Sequence, residues 1–110
     1  MVRLWSGVPA KGTVSAPGAG QYSLIALVVR FSAENGSTSD VPMLCPVVPG
    51  ASYNIAFCVD AWGNSTNNIA PASMRVIVNK NNIEFGVCGR NTISGIKYNY
   101  LGAIAAYGII

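Results

Sequence analysis

The sequence predicts an all-β domain, an antiparallel β-sandwich of jelly-roll-like kind, with residues 1–110 forming one unit. Three observations predict it. Apolar and polar residues alternate with a period of two through several short runs, the period of a strand with one face on a core. Gly- and Pro-containing turns punctuate those runs at regular spacing. No segment carries the 3.6-residue periodicity of an amphipathic helix about ten residues long, and no repeat points to a solenoid. A chain of 110 residues is long enough to bury a core without metals or disulfides.

The elements follow in order. Short β runs cover Val2 to Ser6 and Thr13 to Ser15, with turns expected between Pro9 and Gly12 and between Pro17 and Gly20. Trp5 alternates with its neighbours and is expected to pack in the core or at an interface. Tyr22 to Phe31, "YSLIALVVRF", is nearly continuous in apolar residues and predicts a central strand buried on both faces. A strand over Val41 to Cys45 comes next, closed by the turn dipeptide Pro49-Gly50. From Tyr53 to Asp60, Tyr53, Ile55, Phe57 and Val59 share one face. Met74, Val76 and Val78 repeat the pattern, "NKNN" at Asn79 to Asn82 reads as a turn, and Ile83, Phe85 and Val87 resume it, so Met74 to Cys88 is an antiparallel hairpin. The run from Gly95 to Ile110 completes the set.

Composition narrows function. Hydrophobic residues make up 51% of the chain and charged ones only 10%, far below the roughly 25% usual in soluble domains. Low charge of this kind suits subunits that bury surface in an assembly. The net charge of +3 comes from singly scattered Lys and Arg, which excludes a nucleic-acid footprint. Cys45, Cys58 and Cys88 are odd in number and lack CxxC spacing. With no His in the chain, they predict reduced thiols, Cys45 and Cys58 mostly buried, and no metal site or cofactor. The opening "MVRLWSG" lacks the apolar core of a secretory signal, which implies synthesis in a cytoplasm and makes the sequons at Asn35 and Asn64 chance matches.

Catalysis is poorly supplied. Without His the common triads lack a base. Glu34, Asp40, Asp60 and Glu84 are the only carboxylates, and Asp60 with Glu84 is the pair a small glycosidase would need. No catalytic residue is assigned, and solvated acids are the simpler reading. Gly18 and Gly20 in "APGAGQY" lack the Lys and following helix of a phosphate loop and read as a turn.

The chain ends on "YLGAIAAYGII", with no charge after Lys97. A helix spanning a bilayer takes about 20 apolar residues; Tyr98 to Ile110, interrupted by Asn99, Gly102 and Gly108, falls short. Membrane insertion is not expected, so protein must cover this ending.

"LWSG" at Leu4 to Gly7, "GTVSAP" at Gly12 to Pro17 and the Tyr-led strand at Tyr22, together with Asn99, Leu101, Ile104 and the terminal "YGII", resemble the small C-terminal domains of phage tail fibres and minor tail proteins. The pattern departs from that family at "AIAA", where a basic residue or Thr is usual, and "CVDAWGNSTNNIAPAS" has no counterpart in it. The resemblance implies a β-sandwich tip domain in the virion tail, often trimeric, whose relatives touch the bacterial surface. It also implies that the uncharged ending is a last strand locked into the sheet. Strict alternation there sets Leu101, Ala103, Ala105 and Tyr107 against Gly102, Ile104, Ala106 and Gly108, with both faces apolar or small. A neighbouring subunit of a homotrimer would supply the second layer, Gly and Ala allowing close approach, with Leu101, Ile104, Tyr107 and Ile109 as contacts. A monomer with a two-sided internal core is the alternative.

The expected function is therefore non-enzymatic recognition of a bacterial surface saccharide. Loops on rigid scaffolds concentrate binding residues, and "DAWGNSTNN" is a polar loop following a strand. Trp62 offers a flat face to a sugar ring, and Asp60, Asn64, Asn67 and Asn68 offer donors and acceptors to hydroxyls. An ordinary loop with Trp62 folded onto the core is the other reading. Arg90 and Asn91 in "CGRNT" could lie beside it. A calcium ion there would have one carboxylate, which is thin charge. The alternatives in function are a decoration or baseplate subunit that binds only other virion proteins, and the small glycosidase.

Overall fold

A computed structural model describes the backbone of residues 1–32, 36–60, 69–90 and 99–109, and the side chains of these except 57–60, 69–71 and 87–90. Eight strands account for most of it: β1 (Val2–Ala10), β2 (Gly12–Ser15), β3 (Leu24–Ser32), β4 (Thr38–Pro46), β5 (Ser52–Asp60), β6 (Ile69–Val78), β7 (Asn82–Arg90) and β8 (Asn99–Ile109). A single 3-10 turn at Ala19–Gln21 is the only helical element among the described residues. The strands form two four-stranded antiparallel sheets, ordered β1-β8-β3-β4 and β2-β7-β6-β5. The protein is an all-β sandwich.

Alternation decides which side chains meet between the sheets. Ile25, Leu27, Val29 and Phe31 of β3 are fully buried, and their rungs on β4 supply Met43 and Cys45. The second sheet answers with Met74, Val76 and Val78 from β6, Ile83 and Phe85 from β7 and Val14 from β2. Full burial of one such side chain contributes about 1.5–3 kcal/mol. Trp5, Leu4 and Tyr22 pack half-buried against this core.

The β6–β7 hairpin forms across the Asn-rich turn. Val78 pairs with Ile83, and the Asn79 amide donates to the Asn82 carbonyl at 2.8 Å. The Asn79 side-chain amide donates to Asn82 Oδ1 at 2.7 Å and Glu84 Oε2 at 2.6 Å. The glycine-containing segment before β3 docks on the same turn. Ala16 N–H donates to the Asn81 carbonyl and Gly20 N–H to that of Lys80. A Cβ on Gly20 would stand 2.8 Å from Lys80 Cα, so a close backbone approach requires this glycine.

Two expectations need correction. β3 is central, but only one of its faces is fully buried; Leu24, Ala26, Val28 and Arg30 on the other are half-exposed. Strict alternation also fails in β8. Val28 opposes Ala105 while Val29 opposes Ala103, and Arg30 opposes Gly102 while Phe31 opposes Tyr100. Ile104 and Leu101 are therefore extra residues at two bulges, and each extra residue shifts the phase of the side chains that follow. The core face of β8 becomes Tyr100, Ala103, Ala106 and Gly108, while Ala105 and Tyr107 turn outward with Leu101 and Ile104. The small residues of β8 admit this chain's own neighbours: a Cβ on Gly102 would lie 2.7 Å from the Ala10 backbone, and one on Gly108 2.6 Å from the Tyr22 ring.

Candidate functional site

The sandwich has two distinct ends. At one, the start of β3 and the end of β4 meet through Val47 N–H donating to the Ser23 carbonyl, and the segment before β3 docks on the β6–β7 turn. The opposite strand tips lie at the far end of each sheet. Ser32 opposes both Thr38 and Asn99 there in the first sheet. In the second sheet Asp60 opposes Ile69, and Arg90 opposes Ala72. The connections between β3 and β4, β5 and β6, and β7 and β8 all leave from this end.

Register fixes where the backbones of Asp60 and Arg90 stand. β5 and β7 flank β6, and Arg90 falls three rungs short of Ile69, the partner of Asp60. At about 4.8 Å between strands and 3.3 Å per residue, the Asp60 and Arg90 backbones lie on the order of 14 Å apart. The structure thus brings the roots of both stretches to one sheet end. Trp62, Asn64, Asn67, Asn68 and Asn91 lie outside the described residues, as do the side chains of Asp60 and Arg90 and the Cys58 thiol. Pro71 pairs with Cys58 of β5, one rung beyond the rung of Ala72 and Arg90.

The same register separates the carboxylates. Glu84 opposes Ile77 and Asp60 opposes Ile69, eight residues along β6, or roughly 26 Å. Glycoside cleavage needs two carboxyl groups no more than about 9.5 Å apart. Asp60 and Glu84 therefore cannot flank one bond, and Glu84 instead accepts the hydrogen bond from Asn79.

Three features escaped the sequence. Lys11 Nζ stands 5.7 Å from the centroid of the Tyr100 ring, close to the loop-bearing end, and Tyr100 packs on Phe31 at 5.4 Å. Arg30 clasps Asp40 through two hydrogen bonds, at 2.7 and 3.1 Å, on the outer face of the first sheet. That hydrogen bond, aided by charge, holds the Asp40 carboxyl below its ordinary range. Pairing the Tyr22 and Val41 runs as a hairpin would have placed Arg30 beside Asp40 from sequence alone.

The third feature is an asymmetry between outer faces. On the second sheet the outward positions include Thr13, Ser15, Ser52, Asn54, Ser73, Arg75 and Glu84. On the first they include Leu24, Val28, Pro42, Leu44, Ile104, Tyr107 and Ile109. None of these seven packs against the core, and Leu44 is 59% exposed. Leu101, Ile104, Tyr107 and Ile109 all lie on this apolar outer face. Cys45, by contrast, is a buried free thiol whose Sγ approaches the Pro46 carbonyl at 3.4 Å, and burial pushes its pKa up. No cluster of metal-ligating side chains occurs among the described residues. In comparisons with known proteins, no family model, curated protein or solved structure matches the chain.

Proposed function

We propose that the chain is a non-enzymatic recognition module of a phage or prophage tail, binding a bacterial surface saccharide at the loop-bearing end of the sandwich. The observation that supports this reading is that the backbones of Asp60 and Arg90, from which the β5–β6 and β7–β8 connections leave, stand at one end of the second sheet; the site would be formed by Asp60, Trp62, Asn64, Asn67, Asn68, Arg90 and Asn91. A rigid two-sheet core holds both backbones, and connections on a rigid scaffold are where binding groups concentrate. Trp62 stacks on the sugar ring and the amides bond its hydroxyls. The module works as a homotrimer in the virion tail, after synthesis in the bacterial cytoplasm, and requires no cofactor.

A glycan array tests the reading. Binding to bacterial saccharides that is lost in Trp62→Ala, with the circular dichroism spectrum unchanged, supports it; an empty array for the wild-type protein overturns it. The apolar outer face of the first sheet favours a second reading, a decoration or baseplate subunit that contacts only other virion proteins. Tight association with tail or capsid protein together with an empty array selects that one.

A further inference from the structure

We infer that the open edge of β5 binds one extended segment of a partner protein, apolar at every second residue, by adding it to the second sheet. The inference goes beyond the saccharide reading and does not rest on it. Edge strands invite other strands unless proline, irregularity or shortness blunts them, and three of the four edges here are blunted. Val47 N–H donates to the Ser23 carbonyl, so alternation along β4 turns Cys45, Met43 and Val41 to β3 and Pro46, Leu44 and Pro42 to the open edge. The two prolines bring no N–H to that edge. β1 carries two register shifts and Pro9, and β2 is four residues long.

β5 has none of these guards. Its nine residues pair with β6 from Ser52 to Asp60 without a shift and contain no Pro, Gly or Lys. Asn79 turns its N–H to Asn82, and Val78, one residue back, turns its carbonyl the other way, accepting from Gly50 N–H. Alternation therefore aims Val76, Met74 and Ala72 at β5, where Tyr53, Ile55 and Phe57 are their partners. The N–H and C=O groups of Ser52, Asn54, Ala56 and Cys58 then face away from β6. Among the described residues, no backbone hydrogen bond outside the ladders uses them. Another extended backbone matches such a row of alternating donors and acceptors. The apolar half of the segment follows from what flanks the edge. Val41 and Val47 on the β4 side and Tyr53 and Ile55 of β5 are half-buried along the same flank of the sandwich, so the inward residues of an added strand cover them. A second copy paired through its own β5 would set β4 against β4, where Pro42 and Pro46 prevent a continuous ladder. A single segment leaves that edge in water.

Amide hydrogen exchange tests this with a capped synthetic peptide that alternates Val and Thr and carries a Lys at each end. In the free protein the Ser52, Asn54 and Ala56 amides are expected to exchange fast, and to slow by about tenfold once the peptide stands at about ten times its dissociation constant. A peptide of the same residues with the Val grouped at one end is expected to give no slowing. Asn54→Pro removes an outward N–H that β6 does not use, as Pro42 does in β4, and is expected to abolish binding with strand content retained. Ala56→Pro serves the same purpose should Asn54→Pro fail to fold. No slowing at millimolar peptide overturns the inference, as does equal slowing by the grouped peptide or binding unchanged in the folded proline variant. Amides already slow in dilute free protein mean that the chain covers its own edge, and slowing that tracks protein concentration assigns the edge to a second copy; either result overturns it. An empty glycan array removes the saccharide reading and leaves this edge as it is.

Discussion

At the scale of single residues, the tightest constraint lies at Gly102. Its φ of +133° falls where side chains are strained, and a Cβ there would meet the Ala10 nitrogen and oxygen at 2.7 Å. Gly102→Ala is therefore expected to lose about 1–3 kcal/mol through strain and overpacking, and a urea midpoint unchanged from wild type would refute that. Cys45 makes a pH-dependent prediction. Burial raises its pKa, so the unfolded chain gives up this proton at a lower pH than the folded one. Stability is then fully present below the unfolded pKa, near pH 8.5, and is lost as the pH rises from there through the folded value. Urea midpoints of wild type and Cys45→Ala measured from pH 7 to 10 should converge as the pH rises; parallel curves would contradict it. For Asp40 the sign reverses. Its lowered pKa gives a contribution present above the ordinary carboxylate range and lost as pH falls through the folded value, and Asp40→Asn should flatten that acid limb of the stability curve. Exposure keeps this effect small.

Among the elements, the β6–β7 hairpin and β8 behave differently. The hairpin is closed locally: the Asn79 side chain bonds both Asn82 and Glu84, and the Asn79 backbone bonds the far side of the turn. Asn79→Ala should destabilise by about 1–2 kcal/mol, the net worth of the two side-chain bonds, visible as a lower melting temperature. Its strands were legible because alternation holds next to the turn, where Met74, Val76, Val78, Ile83 and Phe85 are all buried as their spacing requires. A register shift between the Met74 and Val76 rungs nonetheless sets Cys88, not the expected Val87, opposite Met74. β8 was legible as a strand but not in its facing. Two bulges, at Leu101 and Ile104, arise because this strand must pair with β1 and β3 at once while Gly102 lets Ala10 cross close by. Those demands come from partners far along the chain, and period-two reading has no access to them.

For the whole molecule, the position of β8 governs stability. It sits between β1 and β3, carrying the link from β1 to the rest of its sheet. Truncation after Lys97 should therefore unfold the protein, not release a folded single subunit, and circular dichroism showing loss of strand signal would confirm it. Retained strand content would mean that the core survives on two incomplete sheets. Oligomeric state is for the same reason not to be read from a shortened chain.

The amino-acid sequence by itself determined the all-β class, most of the strands, the Asn-rich turn and the burial of Cys45. Each of these follows from local alternation and from what Gly, Pro and Asn do to the backbone. Only the tertiary structure decided that the uncharged ending is a central strand, that the Asp60 and Arg90 backbones stand at one end of the second sheet, and that Asp60 and Glu84 stand far apart. It also decided that one sheet turns an apolar face outward and the other a polar one. The physical reason is that a strand displays two faces in its sequence without saying which is the inner one; that choice is made by the rung-by-rung pairing of strands distant in the chain, and a single bulge reverses it.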